Sequence, residues 1–299
     1  MNNFILNKDV EGENLGGGVV LFRSAIEFDA DYSFDLCDEI INREKAAMYT
    51  PGIDPETGEE IYINRSGYFF GKDSIDAMPG RGSAAHQDPR KEVIEFLSGL
   101  ESARDNYLFK YLEAYPLAFK CIWWKVKGHI VSYKEGAYLG SHSDISTDYI
   151  YDVWTPTDQL AMRSTVAALI YFNDSVENED ELNGKNFMGG DHYFNYLDIT
   201  HKPKRGDIIF FPASYTAGHE VKVVEKGLRF SYLGWYSQGT PNIEVKESVE
   251  DPLKNPEKAQ ISTNVYMPTF VSDYQNHLLN RGFDKFSEQY RITVSSYGS

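Results

Sequence analysis

The chain has 299 residues and a mass of 34.1 kDa, which suits one large domain or two small ones. Hydrophobic residues make up 41% of it, aromatic residues 14% and charged residues 25%, which excludes a mainly disordered or fibrous chain. The formal net charge is −16, from 45 acidic and 29 basic side chains. Because an acidic protein is repelled by phosphate backbones, we expect no nucleic-acid partner.

Three features bear on location. The longest apolar runs, such as 166–172, are far shorter than the roughly 20 residues that span a bilayer. The N-terminal stretch MNNFILNKDVEGEN has no basic segment followed by an apolar one, as a secretion signal would have. The two cysteines, Cys37 and Cys121, cannot form a disulfide framework. We therefore expect a cytoplasmic protein with reduced, buried thiols and no membrane partner.

The N-terminal third predicts a layer of mixed helix and strand. Residues 1–18 are polar, end in three glycines and predict a flexible lead-in. The apolar run Val19–Phe22 predicts a strand, and apolar residues at helical spacing predict a helix over Ser33–Met48, capped by Asp31 or Ser33. Residues 50–60 are acidic and turn-rich, which indicates a loop, and Tyr62–Phe70 is β-prone.

A second helix is expected after Asp88-Pro89, because an acidic cap before a proline is typical of a helix start. Apolar residues then recur at helical spacing as far as Tyr111, and Pro116 marks the end. Residues 19–116 are thus predicted to form an N-terminal α/β layer.

Beyond that layer the pattern changes to short apolar runs separated by turns. Over 117–240 this spacing predicts a β-sandwich or barrel core. Residues 241–299 form a C-terminal extension, with a polar linker over 242–260 and a helix expected within Phe270–Tyr290. The extension is a candidate surface for a homodimer.

Two His-x-Asp motifs are candidates for metal binding. His86-Gln87-Asp88 is better explained by Asp88 acting as a helix cap. His142-Ser143-Asp144 lies inside the β region, where residues two apart on a strand share a face. With the distant His219, this second motif offers the two histidines and one carboxylate of non-haem Fe(II) enzymes.

Arg229 lies ten residues after His219 on the apolar strand LRFSYLGW, where it shares a face with Ser231. A buried arginine needs an anionic partner because an isolated buried charge is costly. The partner could be an internal Asp or Glu, or the carboxylate of a small dicarboxylate cosubstrate.

These motifs resemble those of the Fe(II)/2-oxoglutarate-dependent dioxygenases, in particular the prolyl 4-hydroxylase-like group. The resemblance extends over about residues 19–237 and includes five ordered blocks: VSYKEGAYLGSHSD, MRSTVAALIYFND, GGDHYFNY, KPKRGDIIFFPA and HEVKVVEKGLRFSYLGWY. It implies a mainly β fold with flanking helices, in which a double-stranded β-helix (jelly-roll or cupin-like) core carries the N-terminal helices on one sheet.

The resemblance also implies the roles of the site residues. His142, Asp144 and His219 would bind Fe(II), and Arg229 would hold the distal carboxylate of 2-oxoglutarate. Ser231 and the tyrosines Tyr171 and Tyr133 would assist; the alternative for both tyrosines is a core residue with a satisfied hydroxyl. O2 is the second cosubstrate, and ascorbate is a candidate reductant.

The implied reaction is hydroxylation of an unactivated C–H bond with release of succinate and CO2. Asp144 favours hydroxylation, since related halogenases have a small residue at that position. The substrate would be a prolyl residue in a peptide, a free amino acid or another small metabolite. The aromatic stretch 145–161, with Tyr149, Tyr151 and Trp154, would be a lid or a surface loop. A non-enzymatic β-barrel that binds a metal or ligand is the alternative.

Overall fold

The computed structural model describes residues 4–64, 69–77, 79–145, 164–238, 264–267 and 269–294. Its strands are β1 (Phe4–Leu6), β2 (Glu13–Gly16), β3 (Val19–Phe22), β4 (Ile26–Phe28), β5 (Tyr49–Ile53), β6 (Glu60–Asn64), β7 (Phe69–Gly71), β8 (Gly80–Gly82), β9 (Trp124–Lys134), β10 (Leu139–His142), β11 (Ser164–Tyr171), β12 (Ser175–Val176), β13 (Phe187–Gly189), β14 (His192–Phe194), β15 (Ile199–His201), β16 (Ile208–Pro212), β17 (His219–Val221), β18 (Val224–Ser237) and β19 (Asn264–Tyr266). Its helices are α1 (Ala30–Met48), α2 (Lys72–Ala77), α3 (Lys91–Ala114), α4 (Phe270–Asn280) and α5 (Glu288–Val294).

Two sheets form the core. The larger contains β9, β18, β11, β16, β3 and β2 as successive neighbours, with β8 and β19 on the outer edge of β9. The smaller has the order β10-β17-β14-β15. From β9 to β18 the chain passes back and forth between the sheets, which is the winding of a double-stranded β-helix. The predicted fold class is confirmed.

The strands of the larger sheet have two buried faces. In β18, Phe230 and Tyr232 belong to the core cluster beneath α1 and α3, whereas Leu233 and Trp235 pack on the cluster between the sheets. This alternation follows from the two-residue period of a strand. A sheet buried on both faces accounts for the nearly continuous apolar runs of the sequence.

Both predicted long helices form, but neither starts as predicted. The α1 helix begins at Ala30, because the Asp29 carboxylate accepts a hydrogen bond from the Tyr32 backbone N–H at 3.1 Å. Ser33 lies inside α1, where its hydroxyl donates to the Asp29 carbonyl. Asp31 and Ser33 are therefore not the cap.

The cap predicted for α3 was also wrong. This helix begins at Lys91, so Asp88 and Pro89 lie before it. The Asp88 carboxylate accepts hydrogen bonds from the backbone N–H and the guanidinium of Arg90, and it also pairs with Arg43. The partners of the Asp88 carboxylate are thus two neighbouring arginines and not the N-terminus of α3.

Two segments expected to be irregular contain strands. In the predicted lead-in 1–18, β1 pairs with β4 and β2 pairs with β3. These residues therefore add one strand beside β4 and one beside β3. In the predicted loop 50–60, β5 pairs with β6, leaving 54–59 as the turn. β2–β3 and β5–β6 are short hairpins, whereas β1 pairs with β4 across the β2–β3 hairpin. In each case the pairing supplies hydrogen bonds to a sequence with little apolar alternation.

The C-terminal residues pack onto the rest of the domain. β19 adds to the edge of β9, and the expected helix forms as two, α4 and α5, separated by a turn in which Gly282 has φ +84°. Phe270 and Tyr274 of α4 stack on Phe109 and Phe119. The predicted linker 242–260 lies outside the described residues.

Cys37 and Cys121 are both free thiols, but only Cys37 is buried as expected; Cys121 is partly exposed. Among the helices of the described ranges, none combines the length and the apolarity needed to cross a bilayer.

A buried polar cluster joins α3 to the larger sheet. The Glu101 carboxylate accepts hydrogen bonds from the Gly128 backbone N–H at 2.8 Å, the Tyr232 hydroxyl at 2.6 Å and the Arg104 guanidinium at 2.9 Å. Arg104 is fully buried and lies directly on Gly234, where an added Cβ would come within 1.4 Å of its Nη1 atom. Gly234 thus makes room for a charged side chain between helix and sheet.

The charge of Glu101 should contribute strongly to stability. Burial raises its pKa, but the charges of Arg104 and Lys125 and the hydrogen bonds to it outweigh burial and lower the pKa from 4.5 to about 2. A depressed carboxyl pKa stabilises the fold above the unfolded-state value, and this stabilisation is lost as the pH falls from 4.5 towards 2.

We expect Glu101→Gln to lower the free energy of unfolding at neutral pH by about 3–5 kcal/mol, because it leaves the Arg104 charge buried and unpaired. Urea unfolding measures this, with Glu92→Gln as control, since that carboxylate is half exposed. Between pH 5 and 2, the free energy of unfolding should also fall less in the variant than in the wild type. A decrease below 1 kcal/mol would contradict this view of the cluster.

Candidate metal centre and anion pocket

Three predicted ligands converge where β10 ends and β17 begins. His142 and His219 are paired in register across these strands, and Asp144 follows two residues after His142. The Asp144 Oδ1 atom lies 3.7 Å from His142 Nε2 and 3.9 Å from His219 Nε2. One ligand atom from each residue falls within a mutual distance of 4.8 Å, a spacing suited to a single metal ion.

Backbone carbonyls fix the orientation of both imidazoles. His142 Nδ1 donates to the Gly140 carbonyl at 2.9 Å, and His219 Nδ1 donates to the Ala217 carbonyl at 3.1 Å. Because a carbonyl can only accept, each Nδ1 carries the proton and each Nε2 presents a lone pair towards Asp144. Asp144 Oδ2 is buried and has no hydrogen-bond partner among the described residues.

Electrostatics favour neutral His219. Burial lowers the pKa of His219, and His142 lowers it further, while Asp144 and the Ala217 carbonyl oppose the shift. A histidine with a pKa below 6.5 is unprotonated at neutral pH, which is the form that binds metals.

A second polar site surrounds Arg229 on the inner face of the larger sheet. Arg229 is fully buried, and its three guanidinium nitrogens have no hydrogen-bond partner within the described ranges. Its guanidinium carbon lies 5.1 Å from the centre of the Tyr133 ring and 5.4 Å from that of Tyr171. The hydroxyl of Ser231 is likewise buried and unpartnered.

Strand register brings these four residues together. Arg229 pairs with Tyr133 across β18 and β9, and Ser231 pairs with Tyr171 across β18 and β11. No carboxylate forms an ion pair with Arg229 in the part of the chain that is described, so the internal salt bridge left open by the sequence is not seen there. A buried unpaired cation is a strong binding site for an anion.

Two buried histidines that sequence analysis did not single out complete this pocket. His192 Nδ1 is hydrogen-bonded to the Tyr171 hydroxyl at 2.9 Å, and its Nε2 is buried without a partner in the described structure. The His201 ring lies 5.1 Å from the Tyr171 ring. Burial lowers the pKa of His192 far below its usual value and that of His201 to about 3, so both are neutral at neutral pH.

A signal for His192 was present in the sequence: it follows Gly189-Gly190 and alternates with the buried Phe194. Gly190 has φ +64°, and an added Cβ would lie 3.0 Å from Arg229 Cδ. Only a glycine allows β13 and β14 to pass this close to Arg229.

The structure separates the other His-x-Asp motif from the metal centre. His86 Nε2 lies 2.7 Å from the Gly128 carbonyl, on the helix side of the larger sheet, and Asp88 pairs with Arg43 and Arg90. The predicted lid residues Tyr149, Tyr151 and Trp154 lie outside the described residues.

The fold and the paired sites define a class: a double-stranded β-helix with two histidines and a carboxylate at one end and a buried cation on the inner face. Residues 128–237 match the model of the 2OG-Fe(II) oxygenase superfamily. The matched region contains the triad and Arg229.

The chain also has a likeness of low identity to several solved structures. A prolyl-4-hydroxylase from Pseudomonas putida is 18% identical, with 75% of this chain and 94% of that chain covered and a TM-score of 0.39. The viral collagen prolyl hydroxylase of Paramecium Bursaria Chlorella virus-1 is 17% identical, with 75% and 98% covered and a TM-score of 0.40. A prolyl hydroxylase from Trichoplax adhaerens, in complex with a hypoxia inducible factor peptide, is 15% identical, with 74% and 84% covered and a TM-score of 0.44. Likenesses of this size do not assign a substrate. No curated protein sequence matches the chain.

The donor set fits the implied groups. Two imidazole nitrogens with free lone pairs and an unpartnered carboxylate oxygen suit Fe(II). An unpaired guanidinium between two tyrosines suits the carboxylate of a dicarboxylic acid.

We expect His142→Ala or Asp144→Ala to weaken Fe(II) binding at least about 100-fold, since loss of an outer hydrogen-bond partner alone costs about 10- to 100-fold. Anaerobic calorimetry with Fe(II) measures this. His86→Ala is the matched control and should bind as the wild type does. Equal losses in His86→Ala and His142→Ala would refute the assignment.

Proposed function

We propose that this protein is an Fe(II)- and 2-oxoglutarate-dependent dioxygenase that hydroxylates an unactivated C–H bond. The observation that carries the proposal is the fully buried, unpaired Arg229 on the inner face of the barrel that also presents the triad. A barrel that only bound a metal would have no use for an uncompensated cation at this depth, because such a charge destabilises the fold until an anion binds.

In this proposal His142, Asp144 and His219 hold Fe(II), and Arg229 holds the distal carboxylate of 2-oxoglutarate. Tyr171 adds a hydroxyl oriented by His192, while Ser231 and Tyr133 complete the pocket. When bound, the metal and cosubstrate supply O2 activation, with 2-oxoglutarate converted to succinate and CO2. The roles of the protein are to orient both molecules and to exclude water.

In this proposal, the neutral histidines help to orient the cosubstrate. Because His192 and His201 carry no charge at neutral pH, they do not compete with Arg229 for the carboxylate. His192 Nε2 is buried and unpartnered in the described structure, whereas His201 Nε2 lies 3.7 Å from Asp207 Oδ2. Apolar side chains such as Leu169, Ile209 and Phe211 form the surrounding wall between the sheets. Low polarity around Arg229 strengthens its attraction for a carboxylate.

The substrate proposed on this basis carries its reactive carbon on a prolyl residue, a free amino acid or another small metabolite. Ascorbate as reductant stays a prediction of the family resemblance.

Anaerobic titration of the apo-protein with Fe(II) and 2-oxoglutarate should produce the visible charge-transfer band of an iron–ketoacid complex. Asp144→Ala should give no band at the same concentrations, because the ligand set is incomplete. A folded wild-type protein that binds Fe(II) but gives no band would refute the proposed function.

Arg229→Ala should raise the Kd for 2-oxoglutarate about 100-fold or more, because charge-assisted hydrogen bonds are lost. Arg229→Lys should recover part of this affinity, and Tyr171→Phe should cost less than about 10-fold. The charge-transfer titration reports each Kd, and thermal unfolding verifies that each variant is folded. An unchanged Kd in folded Arg229→Ala would exclude Arg229 as the anchor.

A further inference from the structure

Three polar side chains on the inner face of the larger sheet have no role in the site described above. Arg81 lies on the edge strand β8, His129 on β9 and Trp235 on β18. Register places them close together: Leu233 pairs with His129, and Arg81 pairs with Val131, two residues further along β9. The His129 and Trp235 rings lie 5.5 Å apart.

Strand alternation shows which way Arg81 points. The flanking Gly80 and Gly82 face the helix side, because Cβ atoms added there would meet Ile41 and Ile40 of α1. Arg81 therefore projects from the opposite face, towards Val131 and the space between the sheets. Within the described chain Arg81 forms no ion pair, and its side chain is exposed.

Trp235 lies at the level of the metal centre. Phe211, Ala167 and Trp235 are aligned across β16, β11 and β18, and the Phe211 ring lies 4.8 Å from the ring of the proposed ligand His219. The small Ala167 separates the two large rings and leaves room between them. Trp235 follows Arg229 by six residues, so at most about 20 Å of β18 separates the backbones of these two residues.

The available groups are hydrogen-bond donors. The Trp235 indole N–H is buried and has no partner among the described residues, which is costly unless a ligand provides an acceptor. His129 is 9% exposed, and burial together with the charge of Arg81 and others lowers its pKa to about 3. A neutral imidazole can donate one N–H, and the free Arg81 guanidinium adds a bidentate cation.

We propose that Arg81, His129 and Trp235 bind the carboxylate of the substrate, which is a free amino acid and not a residue within a peptide. The inference rests on the proposed oxygenase function, and it selects among the substrate classes named there. A peptide carbonyl has one oxygen and no charge, so it would satisfy only part of this set. A carboxylate offers two oxygens and a negative charge. It would therefore supply the ion-pair partner that Arg81 does not have among the described residues.

The test uses the anaerobic Fe(II)–2-oxoglutarate complex of the full chain, titrated with the twenty common L-amino acids and with the carboxamide of each. Binding beside the metal is read from a shift of the charge-transfer band, and turnover in air from succinate release. We expect at least one free amino acid to shift the band and to be turned over. Its carboxamide should have a KM at least about 10-fold higher.

Variants identify the residues. Arg81→Gln should raise the KM for the amino acid about 10- to 100-fold. It should also abolish the preference for the amino acid over its carboxamide. Arg81→Lys should restore part of that preference. Trp235→Phe keeps an aromatic ring but removes the N–H, and should raise the KM about 5-fold. The Kd for 2-oxoglutarate should stay unchanged in all three. Arg291→Gln, an exposed change on α5, is the matched control.

Several outcomes would overturn the inference. If the band forms but no free amino acid shifts it, or if acid and carboxamide are equivalent, the site does not recognise a carboxylate. A prolyl peptide with blocked termini that is turned over better than any free amino acid would assign a peptidyl substrate. If the band itself never forms, the proposed function fails and this inference fails with it, a result distinct from the other three.

Discussion

The burial of Arg229 without a counter-ion is the constraint on which the site depends. A guanidinium removed from water loses its hydration and is stabilised only by an anion, by hydrogen-bond acceptors or by aromatic faces. In the described structure Arg229 has two tyrosine rings and no acceptor. The pocket is therefore organised in advance for an anion, and binding one relieves a cost that the fold already bears.

Neighbouring features serve the same purpose. Gly190 keeps β13 and β14 close to the Arg229 side chain, and His192 holds the Tyr171 hydroxyl. The His192 and His219 rings lie 4.9 Å apart, so the anion pocket and the metal centre are in contact. The two sites therefore share a wall made of two packed imidazoles.

β18 links this interior to the helices behind the sheet. Arg229 and Ser231 face inward, whereas Tyr232 between the inward residues faces α3 and donates its hydroxyl to Glu101. The same Glu101 holds the Gly128 backbone of β9. One carboxylate on a helix therefore contacts both of the strands that carry Tyr133 and Arg229, which are themselves paired in register.

Sequence reasoning identified the residues that local spacing and family motifs reveal: the triad, Arg229 and the alternation that puts Ser231 beside it. It missed His192 despite the signal of the preceding glycines. It could not identify His201 or the Arg81 set, because their proximity depends on pairing between strands far apart in the chain. The role of Asp88 was mispredicted because its local sequence pattern is that of a helix cap. The arginines that bind its carboxylate instead come close only in the packed structure. The strands β1 and β2 were missed for the related reason that their partners, and not their own composition, make them strands.

The position of β3 has a consequence for the order in which the domain assembles. Ile208–Phe210 of β16 pair with Val20–Phe22 of β3, so the two halves of this pairing are synthesised far apart in time. A nascent chain that ends before β16 leaves the apolar β3 paired with β2 on one edge and open on the other, and the sheet gains β18 only later. Non-local pairing of this kind slows folding, and incompletely paired intermediates expose strand edges that invite aggregation. We therefore expect the domain to fold late, after most of the chain has left the ribosome, and to depend on chaperones more than a helical protein of this size would.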